Sequence, residues 1–256
     1  MRNTWHATVP RTATSVMNLN NKALLVIGGA TGIGQATAKL CAERGASVIV
    51  ADFNATEGAA TAKAIGGDFV QVDVTNDASV AAMVASIATS HGKLDGLVQT
   101  AGVLKGAFVP IEEFDMAVFR QVLEVNTVGS FLCAKHATPL LKRGAKPVIV
   151  LISSGAAHGG SSSYAYGASK GGVSALGITM ANKLGPEGIR VNVVCPGNIS
   201  TAMKLSVIEA DAGRTGQNVD QAVQAAGLGE PLGVAKLLAF LVSDDADYVR
   251  GSINTR

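Results

Sequence analysis

The chain has 256 residues, 48% of them apolar and 16% charged, with a formal net charge of +2. This length suits one large domain or two small ones with a substantial core. A near-neutral balance without a long basic run speaks against nucleic acid as a partner, because phosphate binding needs clustered positive charge. Three widely spaced cysteines, Cys41, Cys133 and Cys195, contain no CxxC pair. No disulfide framework and no metal site is therefore expected, and reduced thiols in the cytoplasm are the simplest reading.

Taken in chain order, residues 1–20 read as a flexible extension. The opening "MRNTWHATVPRTATSVMNLNNK" has no acidic residue and no apolar secretory core. Its composition faintly resembles a transit peptide, and a loose tail is the expectation. No later stretch approaches the ~18 uninterrupted apolar residues of a membrane helix, so no membrane partner is expected.

Short apolar, β-branched runs then predict six buried strands: 23–28, 47–52, 68–74, 94–99, 147–153 and 190–195. Helical patterns lie between them, over 32–45, 76–92, 114–144 and 169–188. Gly45 and Gly92 are good stops, and Pro139 bends the third of these helices or lies near its end. Strand alternating with helix over short connections means a parallel sheet, here one doubly wound α/β domain over residues 21–256 with helices flanking the sheet. The segment 202–229 breaks the rhythm: it is polar and Gly-punctuated, a lid or a surface helical insertion.

The first strand runs into "GGATGIGQATAKL", where Gly28, Gly32 and Gly34 stand in GxxxGxG spacing around Thr31 and Ile33. Glycines here let the backbone turn and approach a pyrophosphate, and the helix that follows offers free N–H groups and its positive dipole end. A tight turn without a ligand is the plain alternative. Asp52 ends the second strand, eighteen residues beyond Gly34. A carboxylate there accepts both ribose hydroxyls of an adenosine and repels a 2′-phosphate, which favours NAD over NADP. A turn or a helix cap is the other reading of Asp52. Asp73 and Val74 end the third strand, where Asp73 either meets the adenine edge or caps the helix near Asn76.

Tyr166 and Lys170 are four residues apart in "SSSYAYGASKGG", one helical turn on one face, whereas Tyr164 points elsewhere. A neighbouring ammonium stabilises a phenolate and is expected to lower its pKa from about 10 towards that of a usable base. A surface Tyr–Lys pair is the bland alternative.

Together these motifs resemble the short-chain dehydrogenase/reductase family, over nearly everything from Asn21 to Ser252. They occur in the family's order: GxxxGxG at 28–34, Asp52, Asn126 in "EVNTVGSF", "ISS" at 152–154, YxxxK at 166–170 and "PGNIST" at 196–201. The resemblance implies a Rossmann-type fold and an NAD-dependent oxidoreductase acting on a small-molecule alcohol or carbonyl. It casts Tyr166 as the acid/base and Lys170 as the group that lowers its pKa and holds the nicotinamide ribose. Ser154 would bind the substrate oxygen, and Asn126 would anchor a relay water through a backbone kink. Gly28, Thr31, Gly32, Ile33, Gly34, Asp52, Asp73, Val74, Ala101, Gly102, Pro196, Gly197, Ile199 and Thr201 would contact the cofactor together with Tyr166 and Lys170.

The departures are "QTAG" at 99–102, where Gln99 and Thr100 leave the family pattern, and Ser154, one residue closer to Tyr166 than is usual, which keeps Ser153 as a candidate. The ending "YVRGSINTR" implies either a short final strand or a missing tail. The resemblance also implies a homo-oligomer, tetramer or dimer, paired through the helices at 114–136 and 165–185. An NADP-linked 3-oxoacyl-acyl-carrier-protein reductase and a non-catalytic dinucleotide-binding sensor remain as alternatives, and a methyltransferase fits worse. Leu104, His158, Tyr164 and the 202–229 segment are expected to line or cover the substrate pocket, with no substrate specified.

Overall fold

In the computed structural model, which describes residues 17–255, the apolar runs form one seven-stranded sheet. The strands are β1 (Ala23–Ile27), β2 (Ser47–Asp52), β3 (Asp68–Gln71), β4 (Gly96–Gln99), β5 (Val148–Ile152), β6 (Arg190–Cys195) and β7 (Gly251–Asn254). They lie in the order β3-β2-β1-β4-β5-β6-β7, every pair parallel. The chain starts at the middle of the sheet, builds outward to β3, then crosses back to lay β4 on the other side of β1. That reversal leaves a crevice at the carboxyl ends of β1 and β4, where ligands bind in open sheets of this kind.

Six strands fall where the apolar runs place them, several a residue or more shorter. The seventh is the short final strand, four residues long. The central strands β1, β4 and β5 are buried along their whole length, which is why they read as unbroken apolar runs rather than alternating ones.

Helices cover both faces. One face packs α3 (Asp77–His91), α5 (Gly129–Leu141) and α7 (Tyr164–Leu184) through Met83, Ile87, Leu140, Leu141 and Val173. The other packs α1 (Gly32–Glu43), α2 (Ala55–Ile65) and α10 (Pro231–Val242) through Ala38, Cys41, Ala62, Leu238 and Val242. Local chemistry sets the ends: Asn54 and Asn76 accept the N–H groups of Glu57 and Ser79 as N-caps, and Gly66 and Gly92 close α2 and α3 in the left-handed region. The turn into β4 is held by Asp95, a buried carboxylate that accepts from Ala23 N (2.9 Å) and Ala145 N (2.7 Å) and pairs with Lys93 (2.8 Å). Burial alone would raise its pKa, but these donors win and hold it below the ordinary value.

Two elements differ from their predicted form, and a third takes one of the two forms expected of it, a helical insertion. The helix expected over 114–144 is α4 (Met116–Leu123) and α5 joined by a π turn at Glu124–Val128. The wider turn carries one extra residue and pushes Asn126 inward; the Ser130 hydroxyl donates to the Asn126 carbonyl at 2.6 Å. Pro139 lies in the last turn of α5, as expected near the helix end, where little helix follows for its ring to disturb. The helix expected from 169 begins earlier, at Tyr164, because Ser163 caps it by accepting the Tyr166 N–H at 3.3 Å. The segment 202–229 forms α8 (Ala202–Thr215) and α9 (Val219–Ala225). A four-residue helix, α6 (Ala156–Gly159), precedes α7.

Most of the expected N-terminal extension, residues 1–16, lies outside the described residues. Leu19, within the same expected stretch, is fully buried and donates its N–H to the Arg44 carbonyl at 2.8 Å. No described helix is long and apolar enough to cross a membrane.

Candidate active site

A cavity of about 1410 Å³ opens at the carboxyl ends of the strands, and every residue expected to contact a cofactor lines it. Ser154, Tyr166 and Lys170 line it as well; Asn126 is buried behind its wall. The volume exceeds the roughly 300–1,000 Å³ of common small-ligand pockets, leaving room for a dinucleotide beside a substrate.

At one end lies the glycine turn. Gly28 and Gly32 have φ of +80° and +55°, conformations that side chains resist. A Cβ on Gly34 would stand 2.1 Å from the Gly28 carbonyl oxygen and 2.5 Å from Thr100 Oγ1. Thr31 precedes α1 in an extended conformation and makes no side-chain cap, and no acidic residue lies in the first turn. The first N–H groups of α1 are thus left for an anion, and the donor set fits a pyrophosphate. Gly34→Ala is expected to lower the midpoint of thermal unfolding by several degrees and to weaken NADH binding at least tenfold, read by calorimetry and by NADH fluorescence.

Asp52 bridges the turn that follows β2: Ala30 N donates to one carboxylate oxygen and Asn54 N to the other, both at 2.9 Å. The turn-bracing reading of Asp52 is therefore part of its role, and its place in the cavity wall is the other part. Asp73 accepts from the Thr75 N–H (2.9 Å) and hydroxyl (2.7 Å), while Asn76, not Asp73, caps α3.

Sequence reasoning missed Thr100. It stands as a departure in "QTAG", yet its hydroxyl lies 2.7 Å from the Ile27 carbonyl and 3.1 Å from that of Gly28, tying the end of β4 to the glycine turn. Only the β1–β4 pairing, a long-range contact, could have revealed this. Gln99 beside it is buried, and its side-chain amide has no hydrogen-bond partner among the described residues.

At the other end Tyr166 and Lys170 share the inner face of α7. The Lys170 ammonium lies 5.7 Å from the Tyr166 ring centre and donates to the Ile152 carbonyl at 2.8 Å. Burial lowers its pKa to about 8, with the neighbouring Cys195 opposing. The Tyr166 phenol is pushed above its ordinary value by burial, and a hydrogen bond with the Ser154 side chain opposes this. The lowering expected from Lys170 is thus replaced in this structure by a bond from Ser154: the ammonium is turned towards a main-chain carbonyl and packs over the ring.

The same contacts separate the two serines. Ser153 is buried, donates to the Lys170 carbonyl at 2.8 Å and lies 2.8 Å from Ser174 Oγ, fastening β5 to α7. Ser154 faces the cavity and meets Tyr166.

Asn126 fixes the wall between them. Its amide accepts from Val103 N (2.8 Å) and donates to Val103 O and Ser169 Oγ (both 2.9 Å). Ser169 in turn donates to the Tyr166 carbonyl at 2.8 Å, so the π turn is linked directly to the turn of helix that carries the tyrosine. Tyr164 is 48% exposed and packs edge-on against Phe114 at 5.7 Å. His158 is exposed, with Nε2 3.9 Å from Cys195 Sγ. Leu104 lines the cavity, as do Met203, Lys204, Val207 and Asp211 of α8. Thr201 caps α8 by accepting the Lys204 N–H, and its methyl would lie 3.3 Å from a Cβ on Gly32.

Residues 28–255 match the family model described as enoyl-(acyl carrier protein) reductase. Cis-4-hydroxycyclohexanecarboxylate dehydrogenase of Sinomonas cyclohexanicum is 39% identical over 91% of this chain and 93% of its own length. 2,5-Dichloro-2,5-cyclohexadiene-1,4-diol dehydrogenase of Sphingobium indicum is 34% identical over 92% of this chain and 95% of its own. Among solved structures, levodione reductase superposes with a TM-score of 0.83 at 29% identity, covering 92% of this chain and 96% of that one. A short-chain type dehydrogenase/reductase from Mycobacterium ulcerans gives 0.80 at 30% identity, over 93% and 89%. With the doubly wound sheet and the glycine turn at its switch point, these likenesses place the chain in the short-chain dehydrogenase/reductase family, whose members are nicotinamide-dinucleotide oxidoreductases.

Proposed function

We propose that the protein interconverts a secondary alcohol and a ketone using NAD(H), with Tyr166 as the acid/base. The observation that carries this reading is the hydrogen-bonded Tyr166–Ser154 pair, set on the cavity wall with Lys170 buried beneath it. In the reductive direction the Tyr166 hydroxyl gives its proton to the forming alkoxide, and the Ser154 hydroxyl donates a hydrogen bond to the same oxygen. Lys170 packs against the ring and is the residue we cast as holding the nicotinamide ribose, while the Ser154 bond eases ionisation of the phenol. A bound nicotinamide dinucleotide supplies or accepts the hydride. Asn126 acts as a positioning residue: its amide fixes Val103 and Ser169, and its carbonyl keeps a second lone pair for the relay water that the resemblance implies.

NAD is the preferred reading because Asp52 stands in the cavity wall and neither Lys nor Arg occurs from Phe53 to Ala62. Two relatives are named for hydroxylated six-membered carbon rings, and a ring alcohol of that kind is the first substrate class we propose. Exposed Phe131 on α5 and Ile178 on α7 fit a homo-oligomer, tetramer or dimer, and a cytoplasmic enzyme is the setting we assign.

The test is purified protein with NAD and a panel of cyclic and open-chain secondary alcohols, followed at the NADH absorbance. Turnover on at least one ring alcohol is expected. No turnover on any member, with tight NADH binding retained, would favour the sensor reading instead.

A further inference from the structure

Helices α8 and α9 pack mainly on each other. Their root is a short paired stem: Ser200 N donates to the Gly229 carbonyl and Gly229 N to that of Asn198, each at 2.8 Å. Between root and tip, Met203, Val207, Ile208 and Asp211 line the cavity. At the far end of α8 the Arg214 guanidinium lies 5.2 Å from the centre of the Phe108 ring and pairs with Asp211 at 2.8 Å.

Phe108 belongs to the long connection after β4, on a different wall of the same cavity. Its φ of +62° is a conformation bulky residues rarely adopt, and its N–H is anchored on the Ser162 carbonyl at 2.8 Å. The strained backbone holds the ring where the cation meets its face. A flap thus spans the cavity, fixed by main-chain hydrogen bonds at one end and reaching the opposite wall through a cation–ring contact at the other.

We propose that the Arg214–Phe108 contact is a clasp that closes α8 and α9 over the cavity, and that its release gates ligand exchange. The proposal rests on the reading above only in taking this cavity as the ligand site. The chemistry suits a gate: a partly exposed guanidinium on an aromatic face is directional, yet weak enough to open within a catalytic cycle.

The experiment uses the full chain as wild type, Arg214→Gln, Phe108→Leu and the double variant. Amide hydrogen exchange is read in α8 and in β5, and NADH release is read by stopped-flow fluorescence. Exchange in α8 is expected to quicken about three- to tenfold in each single variant and no further in the double one, while β5 stays as in wild type. NADH release should quicken by a similar factor. Unchanged α8 exchange in Arg214→Gln, whose exposed side chain can be replaced without disturbing the core, would overturn the clasp, as would additive effects in the double variant. Faster exchange with unchanged NADH release would overturn the gate. Failure of NADH to bind at all would sink the dinucleotide reading, while the exchange data would still decide the clasp.

Discussion

Tyr166→Phe is expected to lower turnover about a thousandfold while leaving NADH binding within twofold of wild type. The substitution removes one oxygen and keeps the ring that Lys170 packs against. Tyr164, expected from the sequence to line the pocket, is not among the residues that line the cavity; Tyr164→Phe keeps its edge contact with Phe114 and is expected to leave both rate and substrate preference near wild type. The acidity of the phenol sets the pH profile. Burial raises the Tyr166 pKa, so at neutral pH the protonated form dominates, which is the form that reduces a ketone. Ketone reduction is therefore expected to be nearly flat from pH 6 to about 7 and to fall through about 8, where half the Lys170 population has lost its proton, and alcohol oxidation to rise with pH as the phenolate fills. Initial rates in both directions for the two tyrosine variants check this. Near-normal turnover in Tyr166→Phe would remove the acid/base assignment.

Asp52→Asn is the second large effect. On the proposed reading the wild-type carboxylate would meet the adenosine ribose where a 2′-phosphate would bring a like charge, and such juxtaposition costs several kcal/mol when the site is closed. Asparagine keeps an oxygen for the Ala30 or Asn54 N–H and removes the charge. The ratio of kcat/KM for NADH over NADPH is expected to fall about thirtyfold or more, most of it from a gain with NADPH. A wild type that already prefers NADPH would overturn the assignment and favour the carrier-protein reductase alternative.

Much of the architecture was legible in the chain because its signals are local. Unbroken runs such as "ALLVI" and "VIVLI" mark strands covered on both faces, and Gly28, Gly32 and Gly34 mark a turn that side chains would block. Other features depend on contacts between distant segments. Regular helical periodicity continues across Glu124–Val128, so only the resemblance, through Asn126, pointed to a kink there; what holds the wide turn is the reach of Asn126 to Val103 and Ser169. Ser153 and Ser154 differ by one position in identical chemistry, and only the approach of α7, with Lys170 and Ser174, separates a fastening serine from one that faces the cavity. Thr100 depends in the same way on the neighbouring strand, and Leu19 on a groove beside Arg44. For α8 and α9 the residue pattern left a lid and a helical insertion both open, because their apolar face is partly given to the cavity.

The wide turn at Glu124–Val128 has a consequence for how the chain tolerates insertions and deletions. A π turn is an α-helix with one residue too many. Removing a residue there would let α4 and α5 join as one regular helix, with better main-chain geometry and much the same outer packing. Asn126 would then withdraw from Val103 and Ser169, and the segment bearing Tyr166 would lose its brace. The local arithmetic of chain length, and not only the choice of side chain, holds the site in register. A shorter, straighter helix at this point would be the better helix and the poorer enzyme.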